Sequence, residues 1–476
     1  MPCGSSGRAQ RFLGERGDVS ASTGILAIDQ GTSATKAIVW SDGHVVAEVD
    51  VPVQGAHYAG DAVEQDAEAL WDSVVSAGCA ALTQAGLPVR AVGIGNQGET
   101  VLAWNRRTGA PVGPALSWQD RRSVTITDRF DDKTSAALLA LTGLPVDPYF
   151  AGPKMAFLRE QSRDALGADD VITTIDAWIN FRLTGKAFTD TATASRTQLL
   201  DPAALAWSDL ATEAFGIPAH HLPEIVDNDA ILGTTDAFGS PLTVAGAIVD
   251  QQAALFAEGC TTRGMAKCTY GTGAFLLAHT GAEHQPSSSG LATSLAWTMR
   301  DGTRASCVDG QVYAAGAAVS WLERLGLITS AADLDRLGAE PSAGVLFRPS
   351  LAGRGAPHWE PEAKGMITGL SLATRPEDIV SAFLDGLATE VTDLARAVEA
   401  DLGSLTALRV DGGLTRSRVL MQRQADRLGI PVEVYPHACA TALGIAALAL
   451  RAVDGPGAED AIIRGWQPAT TYLPRS

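Results

Sequence analysis

The sequence predicts a mixed α/β protein built from two similar domains that face each other across a central cleft, and three observations carry that expectation. The chain has 476 residues, more than one ordinary core accommodates and suited to two large domains. Its patterned part opens with three short β-type runs, and a second group of the same character starts near residue 264. Each group turns on a Gly-Thr pair, Gly31-Thr32 in the first and Gly271-Thr272 in the second.

Read in order, ILAID (25–29), KAIVW (36–40) and HVVAEVD (44–50) form an antiparallel meander joined by turn residues. Helical periodicity follows over 66–84, then a strand over 90–97 and a hairpin over 101–113 that turns at Thr108-Gly109. Helix-like segments at 151–162 and 174–184 lead to a strand over 243–250. The second meander spans 264–281, so the domain boundary is expected near residue 253, with one domain over 24–253 and the other over 254–476. The second half continues with a helix over 314–326, a Pro/Gly-rich loop over 353–365 and a long helix over 376–401. A strand over 407–411 meets Gly412-Gly413, and a helix over 417–429 leaves that turn. The strand PVEVYP and an Ala-rich helix over 440–453 close the pattern. Residues 1–23, rich in Gly, Ser and Arg, carry no such patterning and are expected to form a disordered arm or to reflect a misassigned start.

Composition narrows the function classes. Hydrophobic residues make up 46% and charged residues 19%, the balance of a globular enzyme. A formal charge of −18 repels phosphate backbones and anionic headgroups, which argues against nucleic acid and membrane partners. Any phosphate-bearing ligand must then be held locally, by backbone N–H groups, a metal ion and a few placed side chains. The six cysteines stand singly, with no C-x-x-C pair, and read as reduced thiols of a cytoplasmic protein. No apolar run approaches the ~20 residues of a membrane span, and the first residues lack the apolar stretch of a signal peptide.

Three turns carry candidate chemistry. Asp29-Gln30-Gly31-Thr32-Ser33 ends a strand in a tight turn, where glycine admits a ligand and hydroxyls can donate to phosphate oxygens. An acid beside such a turn can hold Mg²⁺ through water. Tyr270-Gly271-Thr272-Gly273 repeats the signal, and Asp411-Gly412-Gly413 can lay backbone flat against a nucleotide base. Each is equally an ordinary hairpin or βα turn when taken singly; their order along the chain is what makes them informative together.

Together with the segments GNQGETVLAW, WQDRR, GLPVDPYFAGPK, IVDQQAALF, GAPHWEPEAKGMITGL, RVDGGLTRSRVLMQ and ATALGIAA, these turns resemble the FGGY carbohydrate kinases, and within them the glycerol kinases, from about Gly24 to about Val453. The resemblance implies an actin-like ATPase (ribonuclease H-like) fold, ATP as donor, Mg²⁺, and a small polyol or sugar as acceptor. It makes Asp250 the general base, with a helix N-cap as the compatible structural reading. It places Glu99, Tyr149 and Gln251 on the acceptor's hydroxyls and Trp118 and Phe275 against its carbons. On the donor side it matches Thr32, Ser33 and Lys36 to one phosphate loop and Thr272 to the other. Gly316, Gly413 and Ser417 match the nucleoside site, and Asp29 the acid near the metal. It is also compatible with a homodimer.

The chain departs from the glycerol kinase pattern at two pocket positions. Gly98 stands where an arginine contacts glycerol, which removes a charged hydrogen bond worth roughly 1.5–3 kcal/mol and vacates volume. That volume is expected to admit a four- or five-carbon polyol or ketose such as erythritol, threitol or xylulose. Val249 replaces a frequent glycine and is expected to narrow another side of the pocket. The loop Thr234–Pro241 lacks the basic, glycine-rich character of a sugar-bisphosphate site. A reading of another class, an actin-like ATPase acting as a sensor or protein-binding module, leaves the cluster of Glu99, Trp118 and Tyr149 without a purpose.

Overall fold

The computed structural model describes residues 23–54, 56–162 and 166–475. The arm expected over residues 1–23 therefore lies, Thr23 apart, outside the described residues. Two large sheets organise the chain. The first has six strands in the order Ile231–Thr235, Leu242–Val249, Val89–Asn96, Gly24–Gln30, Ala34–Ser41 and His44–Pro52. The second has seven, in the order Ala292–Thr298, Arg304–Val312, Ala274–Gly281, Ala266–Tyr270, Leu408–Asp411, Val432–Val434 and Thr470–Tyr472.

The pairing inside the two sheets repeats. Gly24–Gln30 runs antiparallel to Ala34–Ser41 and parallel to Val89–Asn96, which is parallel to Leu242–Val249. Ala266–Tyr270 runs antiparallel to Ala274–Gly281 and parallel to Leu408–Asp411, which is parallel to Val432–Val434. This is the duplicated actin-like arrangement. The parallel strands carry near-continuous apolar runs because helices cover both faces, as in ILAI at 25–28 and the almost wholly buried Leu242–Val249.

The helices follow their local signals. Asp66 caps Ala67–Ala85 by accepting from the Glu68 N–H at 2.9 Å, and Gly86 ends it in the left-handed conformation at φ 61°. The long helix Pro376–Leu402 starts on proline and buries one face, from Val380 to Val398, against the second sheet. The predicted hairpin forms over 101–113, with Gly109 at φ 76° and Trp104 bridged to Pro111.

Two helices tie the halves together. Asp250–Ala257 contains the boundary expected near residue 253, and it packs against Ala440–Asp454, near the end of the chain. That last helix also lies on the first sheet, against Gly24–Gln30, Val89–Asn96 and Leu242–Val249. Glycines permit the approach: a Cβ on Gly444 would stand 1.9 Å from the Ala253 carbonyl, and one on Gly246, at φ 80°, 2.8 Å from the Ala449 nitrogen. A smaller five-stranded sheet, from His57–Ala59 to Asp170–Thr174, extends the first half and carries the loops that reach the cleft. Among the described residues no helix is long and apolar enough to cross a membrane, and no group of three or more His, Cys, Asp or Glu side chains has metal-binding geometry.

Candidate active site

A cavity of about 160 Å³ opens where the ends of the two central sheets meet. Glu99, Trp118, Tyr149, Asp250, Gln251 and Phe275 all line it, so the six residues matched to catalysis and the acceptor, drawn from both halves of the chain, converge on one space. Thr32 and Thr272, one from each Gly-Thr turn, also border it.

Glu99 follows the strand Val89–Asn96 and holds a left-handed backbone at φ 54°, which costs a non-glycine residue of order 1–3 kcal/mol and turns its side chain out of the sheet. Its Oε1 accepts from Arg196 Nε at 2.6 Å. Arg196 gives Nη1 to Asp309 on the strand Arg304–Val312 of the second half. All three are at most 8% exposed at the side chain. Burial pushes the Glu99 carboxyl up even beside that guanidinium. The triad crosses the cleft and leaves Glu99 Oε2 with no protein hydrogen bond among the described residues, able to accept from a ligand hydroxyl. Arg196 and Asp309 were not singled out in the sequence. ASRT (194–197) and CVDG (307–310) contain no spacing that marks an ion pair.

The aromatic wall is a chain of edge-to-face contacts. Trp118 stands between Tyr149, at 6.0 Å between ring centroids, and Phe275, at 5.9 Å, with interplanar angles of 78° and 77°. The Trp118 indole N–H donates to Thr32 Oγ1 at 2.9 Å, so its ring is locked. Tyr149 sits on a turn held by Lys154, a fully buried ammonium that donates to the carbonyls of Pro148 at 2.8 Å, Tyr149 and Phe150. Burial lowers Lys154 to about 7.

Asp250 opens the helix Asp250–Ala257, with Val249 as its N-cap, and its Oδ1 accepts from the Gln251 N–H at 2.7 Å. A carboxylate in a first helical turn is favoured by the helix dipole. Its carboxyl is nonetheless raised to about 6, chiefly by burial and then by Glu99, with the Gln251 N–H and Lys267 opposing. That is the range in which a base is ionised at neutral pH yet still binds a proton.

Apart from Thr32 and Thr272, the other matched residues lie around the cavity rather than on it. Asp29 faces Lys36 across the strand pair, and Lys36 in turn faces Asp50. Lys36 pairs with Glu48 at 2.7 Å and Asp50 at 2.9 Å, away from the cavity, in partly exposed ion pairs worth roughly 0.2–1 kcal/mol. Burial, followed by Asp250, raises Asp29 to about 7, with Asp50 and Asp411 adding to the push and Lys36 opposing it. Ser33 and Thr272 are exposed. The Thr272 carbonyl accepts from the Ala315 and Ala317 N–H groups, and Gly316 N–H bonds the Gly271 carbonyl, so Gly316 packs behind the second turn. Gly413 is exposed beside Gly412. Ser417 caps the helix Arg418–Leu428 and donates to Asp335 Oδ1 at 2.6 Å, so its hydroxyl is already engaged.

Gly98 and Val249 occupy the same side of the cavity. A Cβ on residue 98 would stand 3.0 Å from Val249 Cγ2. The expectation that valine narrows a different side is therefore corrected: it occupies space next to the glycine.

Comparison with known proteins agrees with this geometry. The model of the FGGY family of carbohydrate kinases, N-terminal domain, matches residues 24–257, and that of the C-terminal domain matches 266–453. A glycerol kinase of Alkalilimnicola ehrlichii is 41% identical over 453 residues, 91% of each chain, and one of Xanthobacter autotrophicus is 39% identical over 94% of each. Among solved structures, Plasmodium falciparum glycerol kinase with ADP superposes with a TM-score of 0.84 at 28% identity, covering 95% of this chain and 94% of that one. A ligand-bound xylulose kinase from Lactobacillus acidophilus reaches a TM-score of 0.86 at 20% identity over 95% and 94%, which speaks to the fold. The chain is thus a phosphotransferase with the actin-like fold, and it belongs to the FGGY family of carbohydrate kinases.

Proposed function

We propose that the protein transfers the γ-phosphoryl group of ATP to a hydroxyl of glycerol or a closely similar small polyol. The observation that carries this reading is the convergence of Glu99, Asp250 and Gln251 against the wall of Trp118, Tyr149 and Phe275, in a cavity bordered by the exposed Thr272. Its volume of about 160 Å³ is small beside the roughly 300–1,000 Å³ of ordinary ligand pockets, which suits an acceptor of few heavy atoms. The carboxylates of Glu99, Asp250 and Asp309 outnumber Arg196, the one cation lining the cavity among the described residues, so a neutral acceptor is favoured over an anionic one. The identity to glycerol kinases points the same way. Val249 beside Gly98 argues against the longer four- and five-carbon acceptors, because it takes up space that the missing arginine would otherwise leave free.

In the mechanism we derive, the acceptor's hydroxyls donate to Glu99 and Asp250 while its carbons lie on the aromatic rings. Asp250 accepts the proton of the attacking hydroxyl as the new O–P bond forms and the γ-phosphorus separates from the ADP oxygen. The Gly271-Thr272 turn, closed by the Gly271 N–H on the Gly273 carbonyl, offers the Thr272 N–H and hydroxyl to the phosphates. Lys36 can leave its exposed partners at small cost to join them. Asp29 fits Mg²⁺: it is a hard oxygen donor whose carboxyl is raised first by burial and then by the like charges of Asp250, Asp50 and Asp411, a charge crowding that a divalent cation would relieve. When bound, that ion neutralises phosphate charge. Most of the acceptor site and the first phosphate turn belong in this reading to residues 24–253, and Phe275 of the wall, the second phosphate turn and the nucleoside site with Gly316, Gly413 and Ser417 to residues 254–476.

The test is ADP release with Mg-ATP across glycerol, dihydroxyacetone, erythritol, the threitols, xylitol and xylulose, with Asp250→Asn as control. Glycerol turning over at roughly 1–100 s⁻¹ and leading the panel supports the reading. A four- or five-carbon compound leading it overturns the choice of acceptor, and silence across the panel overturns the acceptor site itself.

A further inference from the structure

Lys267 lies in the strand Ala266–Tyr270 with 0% of its surface exposed. Its ammonium donates to Gln251 Oε1 at 2.6 Å and to Thr269 Oγ1 at 2.7 Å. Four carboxylates feel its charge, Asp250, Glu258, Asp309 and Asp411. Among the described residues, however, none lies within ion-pair distance of it. A buried ammonium is expensive unless its hydrogen bonds are met, and here its close partners are an amide and a hydroxyl.

That choice fixes the orientation of an amide. An ammonium has only donors, so the end of Gln251 that meets it must be the carbonyl oxygen, which settles the assignment that diffraction commonly leaves open. The other end, Nε2, has two hydrogens: the Gln251 side chain hydrogen-bonds the Asp250 carboxylate with one, and the second remains for a ligand in the acceptor cavity that Gln251 lines. Glu99 is arranged in the same sense, one oxygen held by Arg196 and the other free.

We infer that Lys267 is a positioning residue for acceptor recognition: it pins the Gln251 amide with its NH₂ toward the acceptor, so that position 251 acts as a hydrogen-bond donor only. The inference rests on the reading of this cavity as the acceptor site. It specifies the acceptor's chemistry further. The molecule must offer Gln251 an oxygen that accepts, either a hydroxyl or a keto oxygen, and must offer Glu99 and Asp250 hydroxyls that donate. A deoxy analogue that lacks the oxygen facing Gln251 leaves a buried donor unpaired and is rejected.

The experiment measures KM and kcat for glycerol, for its deoxy analogues propane-1,2-diol and propane-1,3-diol, and for ATP. The variants are Lys267→Met, Lys267→Arg, Gln251→Ala and the Lys267→Met/Gln251→Ala double. Lys267→Met is expected to raise the glycerol KM about 10- to 100-fold, the factor that one charged hydrogen bond represents, with the ATP KM within about twofold. Preference for glycerol over at least one diol should shrink by a similar factor, Lys267→Arg should restore part of it, and the double variant should be no worse than the poorer single. An unchanged glycerol KM and diol preference in Lys267→Met, with Gln251→Ala impaired, overturns the inference, as do penalties that multiply in the double. Gln251→Ala without effect instead overturns the acceptor site. Should Lys267→Met not fold, Gln251→Glu keeps the test open: it replaces the donating NH₂ by an accepting oxygen while retaining a partner for Lys267. Wild-type glycerol KM in Gln251→Glu overturns the inference, and a rise matching Gln251→Ala supports it.

Discussion

The two Gly-Thr turns look alike in sequence and in strand context, yet their hydroxyls are used differently. Each turn joins the first two antiparallel strands of its sheet. Thr32 Oγ1 donates to Gln97 Oε1 at 2.9 Å and accepts from Trp118 at 2.9 Å, so its hydroxyl is spent on the acceptor wall. Thr272 Oγ1 has no hydrogen bond among the described residues and its side chain is exposed on the rim of the cavity. The Thr32 side chain of the first turn thus braces Trp118 beside the cavity, and Ser33 is left as that turn's exposed hydroxyl. The second turn leaves its hydroxyl open, and in the proposed function that hydroxyl serves the donor. A repeated motif conserves the backbone shape, while the neighbours decide the chemistry.

The largest expected effect lies between the turns, at Asp250. Asp250→Asn removes the proton acceptor and should lower kcat about 10²- to 10⁴-fold, measured by coupled ADP release; an unimpaired kcat would place the chemistry outside the space the turns enclose. The same substitution should stabilise the fold. Burial raises the Asp250 carboxyl from 3.8 to about 6, so the folded protein holds that proton more tightly than the unfolded chain. The cost of ionising it is absent below pH 3.8 and complete above about pH 6, on the order of 3 kcal/mol. At pH 7.5 Asp250→Asn should therefore melt higher than wild type, and an equal or lower Tm would count against that burial cost.

The wild-type rate should follow the same ionisation. kcat/KM for the acceptor should rise with pH through about 6 and level off above it. An acid limb near pH 4 would mean that closure on substrate removes the influence of burial and of Glu99.

The comparison of the turns is sharpened by Thr272→Val and Thr32→Val. The first should raise the ATP KM or lower kcat about 10-fold or more, with the acceptor KM little changed. The second, by unlocking Trp118, should act mainly on the acceptor KM and by a smaller factor. Identical profiles would erase the distinction drawn between them.

The Gly98 and Val249 pair offers a moderate effect. Gly98→Arg alone meets Val249 Cγ2 and should not improve glycerol use, whereas Gly98→Arg with Val249→Gly should lower the glycerol KM below that of the single variant. Additive effects in steady-state kinetics would show that the two side chains do not compete for space. The smallest effect expected is none: fructose 1,6-bisphosphate should leave the rate unchanged, since Thr234–Pro241 offers one acid, Asp236, and no base. Inhibition at millimolar concentration would refute this.

Much of the fold was legible because its causes are local. Alternating and continuous apolar runs, Asp66 before a helix, Pro376 at a helix start and glycine turns each act over a few residues, and the two meanders announced the duplication. Asp250 and the aromatic residues were found through motifs that keep their order along the chain. What sequence did not disclose are contacts across long separations. Arg196 meets Glu99 over 97 residues and Asp309 over 113, and neither pairing follows from a spacing. Lys267 reads as an alternating strand residue until the helix Asp250–Ala257 brings Gln251 to its ammonium. Gly98 and Val249 were each visible as departures, but their adjacency comes from the parallel pairing of Val89–Asn96 with Leu242–Val249, in which Asn96 is registered with Val249.

By itself, then, the sequence determined the elements, the duplicated α/β plan and the Gly-Thr turns, and it pointed to Asp250 as the carboxylate proposed for the chemistry, because each depends on the residue itself and its near neighbours. Only the tertiary structure decided which hydroxyl stays free, which end of an amide faces the cavity and how much room the acceptor has. Those properties depend on sheet register and on burial, which place a side chain against partners the chain does not put beside it.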